Sequence, residues 1–130
     1  MLLDSNILIH AIRFKLNLLE EVQRIISRNV EFYVLTQVLD ELSAIVERGK
    51  RGSKEARVIL QHLNGVRPLD FHHPGKVDDL ILQAAKKLGM VVATSDVALR
   101  KRLREMKVPI ITLRGGRLYL QPEDPELWSI

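Results

Sequence analysis

Short apolar runs alternate with stretches of helical periodicity along the whole chain. Met1–Leu3 is an unbroken apolar run that predicts a buried strand, and helical patterning follows over Asn6–Ile12 and Leu16–Ser27. Glu31–Leu35 predicts a second strand, and Thr36 stands where it can N-cap a helix over Val38–Glu47. The polar segment GKRGSK is read as a loop, with a helix over Glu55–Leu63 ended by Asn64-Gly65. Val66–Leu69 is a weak strand, HHPGK a turn, and Asp78–Leu88 a helix stopped by Gly89. Met90–Ala93, Asp96–Met106 and Val108–Leu113 then read as strand, helix and strand. GGRLYL adds a short edge strand through a turn at Gly115-Gly116, and QPEDPELWSI is an acidic, proline-broken tail. The expected organisation is one domain over residues 1–120 and a tail over 121–130.

Strands separated by helices imply an α/β fold whose parallel sheet is covered on both faces. Ligands of such sheets bind outside the carboxyl ends of the strands, where the strand order reverses. Asp4 directly follows the first strand, and Asp96 follows Met90–Ala93 by three residues, so both are expected at that edge.

Helical geometry, at about 100° per residue, says which other acids face inward. Glu41 lies about 80° from the centre of the stripe Val38, Leu42, Ile45 and Val46, whereas Asp40 points to the opposite side. Asp78 projects about 60° from Ile81 in the stripe Ile81, Ala84, Ala85 and Leu88, and Asp79 is turned about 160° away. Asp96 lies about 60° from Leu99 in the stripe Leu99, Leu103 and Met106. Taken singly, Asp4, Asp78 and Asp96 are read as helix N-caps, a position Asp favours. Glu41, inside its helix, has no such role. Four inward acids at one sheet edge would repel one another without a cation, and hard Mg²⁺ or Mn²⁺ takes oxygen ligands.

Charge changes the picture further. Twenty Lys+Arg against sixteen Asp+Glu give +4, and the excess is uneven. Val97–Leu120 holds Arg100, Lys101, Arg102, Arg104, Lys107, Arg114 and Arg117 against Glu105 alone, and a second basic cluster runs over Arg48–Arg57. An acidic metal site in a basic surface suits cleavage of a phosphodiester backbone, with Arg100, Arg102, Arg114 and Arg117 as candidate phosphate contacts. With no cysteine there is no disulfide, thiolate zinc site or thiol nucleophile. The start lacks a basic n-region or a membrane-spanning apolar run, so neither signal peptide nor anchor is expected, and the location implied is cytoplasmic. His72 and His73 are read as turn residues, and His10 and His62 as structural.

The segments Asp4-Ser5-Asn6, Asp40-Glu41-Leu42, Asp78-Asp79-Leu80-Ile81 and Thr94-Ser95-Asp96, in this order, resemble the PIN-domain nucleases. VDDLI together with VATSDVALRKRLREMKVPII is similar to archaeal members of the VapC-toxin type and to members that process small-subunit rRNA. The resemblance spans Met1 to about Leu120. It implies a three-layer α/β/α sandwich with a four- to five-stranded parallel sheet and Mg²⁺- or Mn²⁺-dependent endoribonuclease activity. It carries the metal-ligand and catalytic roles to Asp4, Glu41, Asp78 and Asp96. Asn6, Thr94 and Ser95 become supporting residues, and Asp79 an extra acid. A toxin would pair with an antitoxin protein, and many members dimerise, which implies a homodimer. The competing readings are an endonuclease of pre-rRNA processing and a non-catalytic RNA-binding PIN module, which often lacks some of the acids. A phosphoryl-transfer receiver or phosphatase fits less well, because Asp4-Ser5-Asn6-Ile7 does not match an Asp-x-Asp-x-Thr start.

Overall fold

Six strands form one sheet in the order β3-β2-β1-β4-β5-β6: β1 (Leu2–Leu3), β2 (Phe32–Leu35), β3 (Val66–Leu69), β4 (Val92–Ala93), β5 (Ile110–Arg114) and β6 (Arg117–Gln121). The computed structural model describes residues 1–27, 29–124 and Trp128. The first five strands run parallel, and β6 returns antiparallel beside β5. The five parallel strands match the expected sheet, and β6 is the short edge strand expected over GGRLYL. Gly115 and Gly116, both at positive φ (56° and 79°), make the tight turn that adds it.

Six helices join the strands: α1 (Ser5–Arg13), α2 (Leu18–Ile26), α3 (Thr36–Arg48), α4 (Ser53–Gln61), α5 (Val77–Leu88) and α6 (Val97–Glu105). α1 packs on α3 and α4, while α5 packs on α6, giving the expected α/β/α sandwich. The chain leaves β1 towards β2 and β3, then crosses to β4 on the other side of β1. The strand order thus reverses between β1 and β4, which opens a crevice at their carboxyl ends. Leu2, Leu3, Val92 and Ala93 are fully buried, as strands covered on both faces must be.

Several local expectations are corrected. Thr36 does not cap α3; it is the first helical residue, after Leu35, and its hydroxyl donates to Asp70 Oδ1 at 2.9 Å. α5 begins one residue before Asp78, so Asp78 is not a cap; Asp79 Oδ2 instead accepts from the Lys76 N–H at 3.0 Å. Leu88, assigned to the inward stripe of α5, is 49% exposed because it closes the helix beyond the buried residues Ile81, Ala84 and Ala85 of the same stripe. α4 ends at His62 rather than at Asn64-Gly65. His62 is exposed and its Nδ1 lies 2.9 Å from Val58 O.

Of the tail, residues 125–127, 129 and 130 lie outside the described residues. Trp128 is buried in the core cluster, and its Nε1–H donates to Pro122 O at 2.9 Å. Its indole lines a cavity of about 270 Å³ with Met1, Ile26 and Val91. Trp128→Ala should therefore lower the free energy of unfolding by about 3–5 kcal/mol, measured by urea denaturation followed by circular dichroism. A change below about 0.5 kcal/mol, typical of a surface site, would mean that the indole adds nothing to the core.

Candidate active site

Asp4 is the buried charge around which the crevice is built. It follows β1 immediately, is 4% exposed, and N-caps α1 by accepting from the Ser5 N–H at 2.8 Å. Its backbone N–H donates to Ala93 O, and β1 pairs with β4 through Leu3 and Ala93, so Asp4 stands beside Thr94 across the switch point. The Thr94 hydroxyl, fully buried, donates to Asp4 Oδ2 at 2.8 Å. Asn6 Oδ1 lies 3.2 Å from the same hydroxyl, but a hydroxyl has one proton, and the shorter bond to a carboxylate is the stronger. Asn6 Oδ1 instead has a dedicated donor, the Ser95 N–H at 2.9 Å. The Asp96 N–H donates to Thr94 Oγ1 at 3.1 Å, so the loop after β4 is held by a chain of bonds ending on Asp4.

Asp96 N-caps α6, its Oδ1 accepting from the Leu99 N–H at 2.7 Å. Glu41 is half-buried on α3, and its Oε1 accepts from the Ser5 hydroxyl at 3.1 Å. That contact joins α1 to α3, and Ser5 is a site residue that no separate sequence signal marked. Asp78 is half-buried in the first turn of α5, while Asp40, as its helical angle implied, is exposed.

These acids feel one another. Burial pushes the Asp4 carboxyl up to about 6; the Thr94 and Ser5 hydrogen bonds pull it down, and the charges of Asp78 and Glu41 push it up. Burial also raises Glu41, opposed by the Ser5 hydrogen bond and reinforced by Asp78. Asp78 is raised by burial and then by Asp96, and Arg102 draws it down. The four acids therefore form one electrostatic chain from Glu41 and Asp4 through Asp78 to Asp96.

Asp79 stands apart from that chain. Its Oδ1 accepts from Arg102 Nη2 at 2.7 Å and its Oδ2 from the Lys76 N–H, and both bonds hold its carboxyl below the usual range. Arg102, a candidate phosphate contact, is thus already engaged. Gly75, at φ +121°, leaves room for this arrangement: a Cβ there would lie 2.8 Å from Asp79 Oδ2. Arg114 lies over the Tyr119 ring, 4.4 Å from its centroid. Arg117 lines a separate cleft with Glu21 and Arg24, so the structure does not bring all four arginines together. His72 and His73 are exposed in the loop before α5, with His73 Nδ1 2.8 Å from Pro74 O.

Among the described residues, no three acids or histidines are close enough to hold one ion directly. The donor set nevertheless fits a hard cation, because Mg²⁺ usually takes one or two carboxylates and keeps several waters. Of Asp4, Glu41, Asp78 and Asp96, one or two could hold such an ion directly and the others through bound water.

A profile described as PIN like domain matches residues 1–116. Ribonuclease VapC4 of Methanocaldococcus jannaschii is 26% identical over 120 residues, covering 89% of this chain and 91% of that protein. The structure of the PIN domain endonuclease Utp24 superposes with a TM-score of 0.76 at 21% identity, covering 92% of this chain and 89% of the other. That second likeness is one of fold.

The raised Asp4 carboxyl has a consequence for stability. Its folded-state value, about 6 against an ordinary 3.8, means that the folded protein binds the proton more tightly than the unfolded chain. This contribution to metal-free stability is complete below pH 4 and is lost as pH rises through 6, a change on the order of 3 kcal/mol. Metal-free wild type should lose stability relative to Asp4→Asn between about pH 4 and 7 in parallel urea titrations. A constant difference between the two proteins over that range would show that Asp4 is not charged in a buried setting.

Proposed function

The chain belongs to the PIN-like domain family, and on that premise we propose that it is a divalent-metal-dependent endoribonuclease of the toxin type. The observation that carries this reading is Asp4, a buried carboxylate at the β1–β4 switch point whose charge is opposed by Asp78 and Glu41. Two hydrogen bonds, from the Ser5 N–H and the Thr94 hydroxyl, offset part of that charge, and a cation would offset the rest. The match to Ribonuclease VapC4 along most of both chains favours RNA as substrate and an antitoxin protein as partner. A second copy of the chain is the further partner we assign, by analogy with the family.

A bound Mg²⁺ or Mn²⁺ would stabilise charge on the phosphoryl oxygens and make a water more acidic. The rest of the work falls to the chain. The carboxylates of Asp4 and Asp96 would hold the ion, and they are themselves positioned, Asp4 by Thr94 and Ser5, Asp96 by the Leu99 N–H. Asn6 fixes the Ser95 backbone, and with it the loop that carries Asp96. Glu41 and Asp78, with raised proton affinity, are suited to orient the attacking water and take its proton. The products of such in-line hydrolysis carry 5′-phosphate and 3′-hydroxyl ends.

With millimolar Mn²⁺, the wild type should cleave a panel of structured RNAs, and Asp4→Asn and Asp96→Asn should each lose at least about 100-fold, more than loss of an outer partner costs. Thr94→Val, which removes only the positioning hydroxyl, should lose about 10–100-fold. Equal cleavage by all four proteins would assign the activity to a contaminant. Induced expression in a bacterial host should arrest growth with the wild type and not with Asp96→Asn; unimpeded growth beside full activity in vitro would favour a processing enzyme over a toxin.

Metal should also stabilise the protein. Free Mn²⁺ at about 100 times its dissociation constant adds about 2.7 kcal/mol, read as a rise in melting temperature that Asp4→Asn diminishes. An unmoved melting temperature at millimolar Mn²⁺ would argue that no cation shares these carboxylates.

A further inference from the structure

Next to the acidic crevice lies a groove of about 410 Å³ between α6 and the β5–β6 hairpin, lined by Arg100, Arg104, Thr112, Arg114, Tyr119 and Glu123 among others. It gathers three guanidinium groups against one carboxylate. The three ion pairs among the described residues use other side chains. Two buried polar atoms among those lining residues also lack a partner: Arg100 Nε and Thr112 Oγ1. Thr112 is only 6% exposed, so its hydroxyl is not a surface group that bulk water satisfies. A valine would fill that space in the strand without the cost of an orphaned hydroxyl. Two unpartnered polar groups and three unpaired arginines on one groove describe a site made for an oxyanion.

From these residues we propose that the groove is a phosphate subsite for single-stranded RNA, holding a phosphate of the same strand beyond the scissile bond. This rests on the nuclease reading for its substrate but uses none of the acids. Position argues for RNA over other anions. Asp96 caps α6, and Arg100 and Arg104 follow it at steps of about 6 Å along the same helix. On the opposite wall, the Ser95 hydroxyl reaches Leu113 O at 3.5 Å, tying the acidic crevice to the end of β5 where Arg114 begins the groove. A strand crossing Asp96 therefore continues along a line of arginines. Arg114, stacked on Tyr119, presents its N–H donors in a fixed plane. A phosphate offers oxygens in several directions, which matches donors that converge from a helix and a hairpin.

The test measures metal-free affinity for single-stranded RNA oligomers of about 4 to 16 nucleotides at several salt concentrations. Affinity should step up once the oligomer is long enough to span Arg100, Arg104 and Arg114 along the groove. Arg104→Gln, at an exposed position that does not endanger folding, should remove that step and make the salt slope shallower by about 0.7. Thr112→Val, nearly isosteric, should remove most of the step at full folded stability, whereas Lys101→Gln, which does not line the groove, should leave it in place. An unchanged step and slope in Arg104→Gln and Thr112→Val would overturn the proposal, leaving a trapped water as the partner of Thr112. Loss of polyglutamate binding in those variants with RNA affinity intact would also overturn it, in favour of an acidic protein. A length step without cleavage of any RNA would sink the nuclease reading and leave the subsite standing.

Discussion

A carboxylate with almost no exposed surface has to be held in place and then neutralised, and Asp4 imposes both demands on this fold. Holding it requires Thr94 at its side, and Thr94 is there only because β4 pairs in parallel with β1 with Leu3 opposite Ala93. A slip of one residue in that register would turn Thr94 to the other face and leave Asp4 without its strongest donor. The two short strands at the centre of the sheet are therefore fixed by a polar contact at their ends as much as by the apolar residues within them. The bonds from the Asp96 N–H and from the Ser95 N–H spread that constraint into the next loop and place Asp96.

Neutralising Asp4 is a separate matter, and the chain leaves it incomplete. The acids that lean into the crevice are pushed up by burial and by one another, while Asp79, one residue from Asp78, is pulled down by its own arginine. Adjacent acids on one helix thus serve opposite ends. Asp79 is satisfied internally and anchors Arg102 near Asp78, where that positive charge tempers the crevice without filling it. An exposed ion pair of this kind adds little stability. Its value lies in where it puts Arg102.

Much of this was legible in the sequence because helical angle and strand order are nearly independent of long-range detail. The inward lean of Glu41 and the outward turn of Asp40 follow from the apolar stripe, and Asp4 and Asp96 cap helices as their residue type favours. What escaped depends on partners distant in the chain. Thr36 is a good cap by type, yet Asp70, 34 residues on, takes its hydroxyl. Ser5 has nothing to distinguish it until α3 brings Glu41 within 3.1 Å. Arg100, Arg102, Arg114 and Arg117 were singled out from a density of charge alone; that Asp79 takes Arg102, that Arg114 lies over Tyr119 and that Arg117 lines the cleft around Glu21 depends on partners the sequence does not mark. Trp128 was unreadable for the same reason, since nothing local says that an indole in a polar tail will enter the core.

The juxtaposition of an acidic crevice and a basic groove on one sheet edge makes physical sense for a polyanionic substrate. The crevice alone repels phosphate until a cation enters, so it can contribute to affinity only in the loaded protein. In the proposed reading, the arginines on α6 and β5 would bind phosphate without any cation, at a distance from the bond to be broken. On that reading, binding energy from such remote contacts would hold the strand without using the carboxylates. Had the arginines been set among the acids, they would have paired with them, as Arg102 pairs with Asp79, and served neither purpose. One turn of α6 between Asp96 and Arg100 is enough to keep the two charges separate and still on one path.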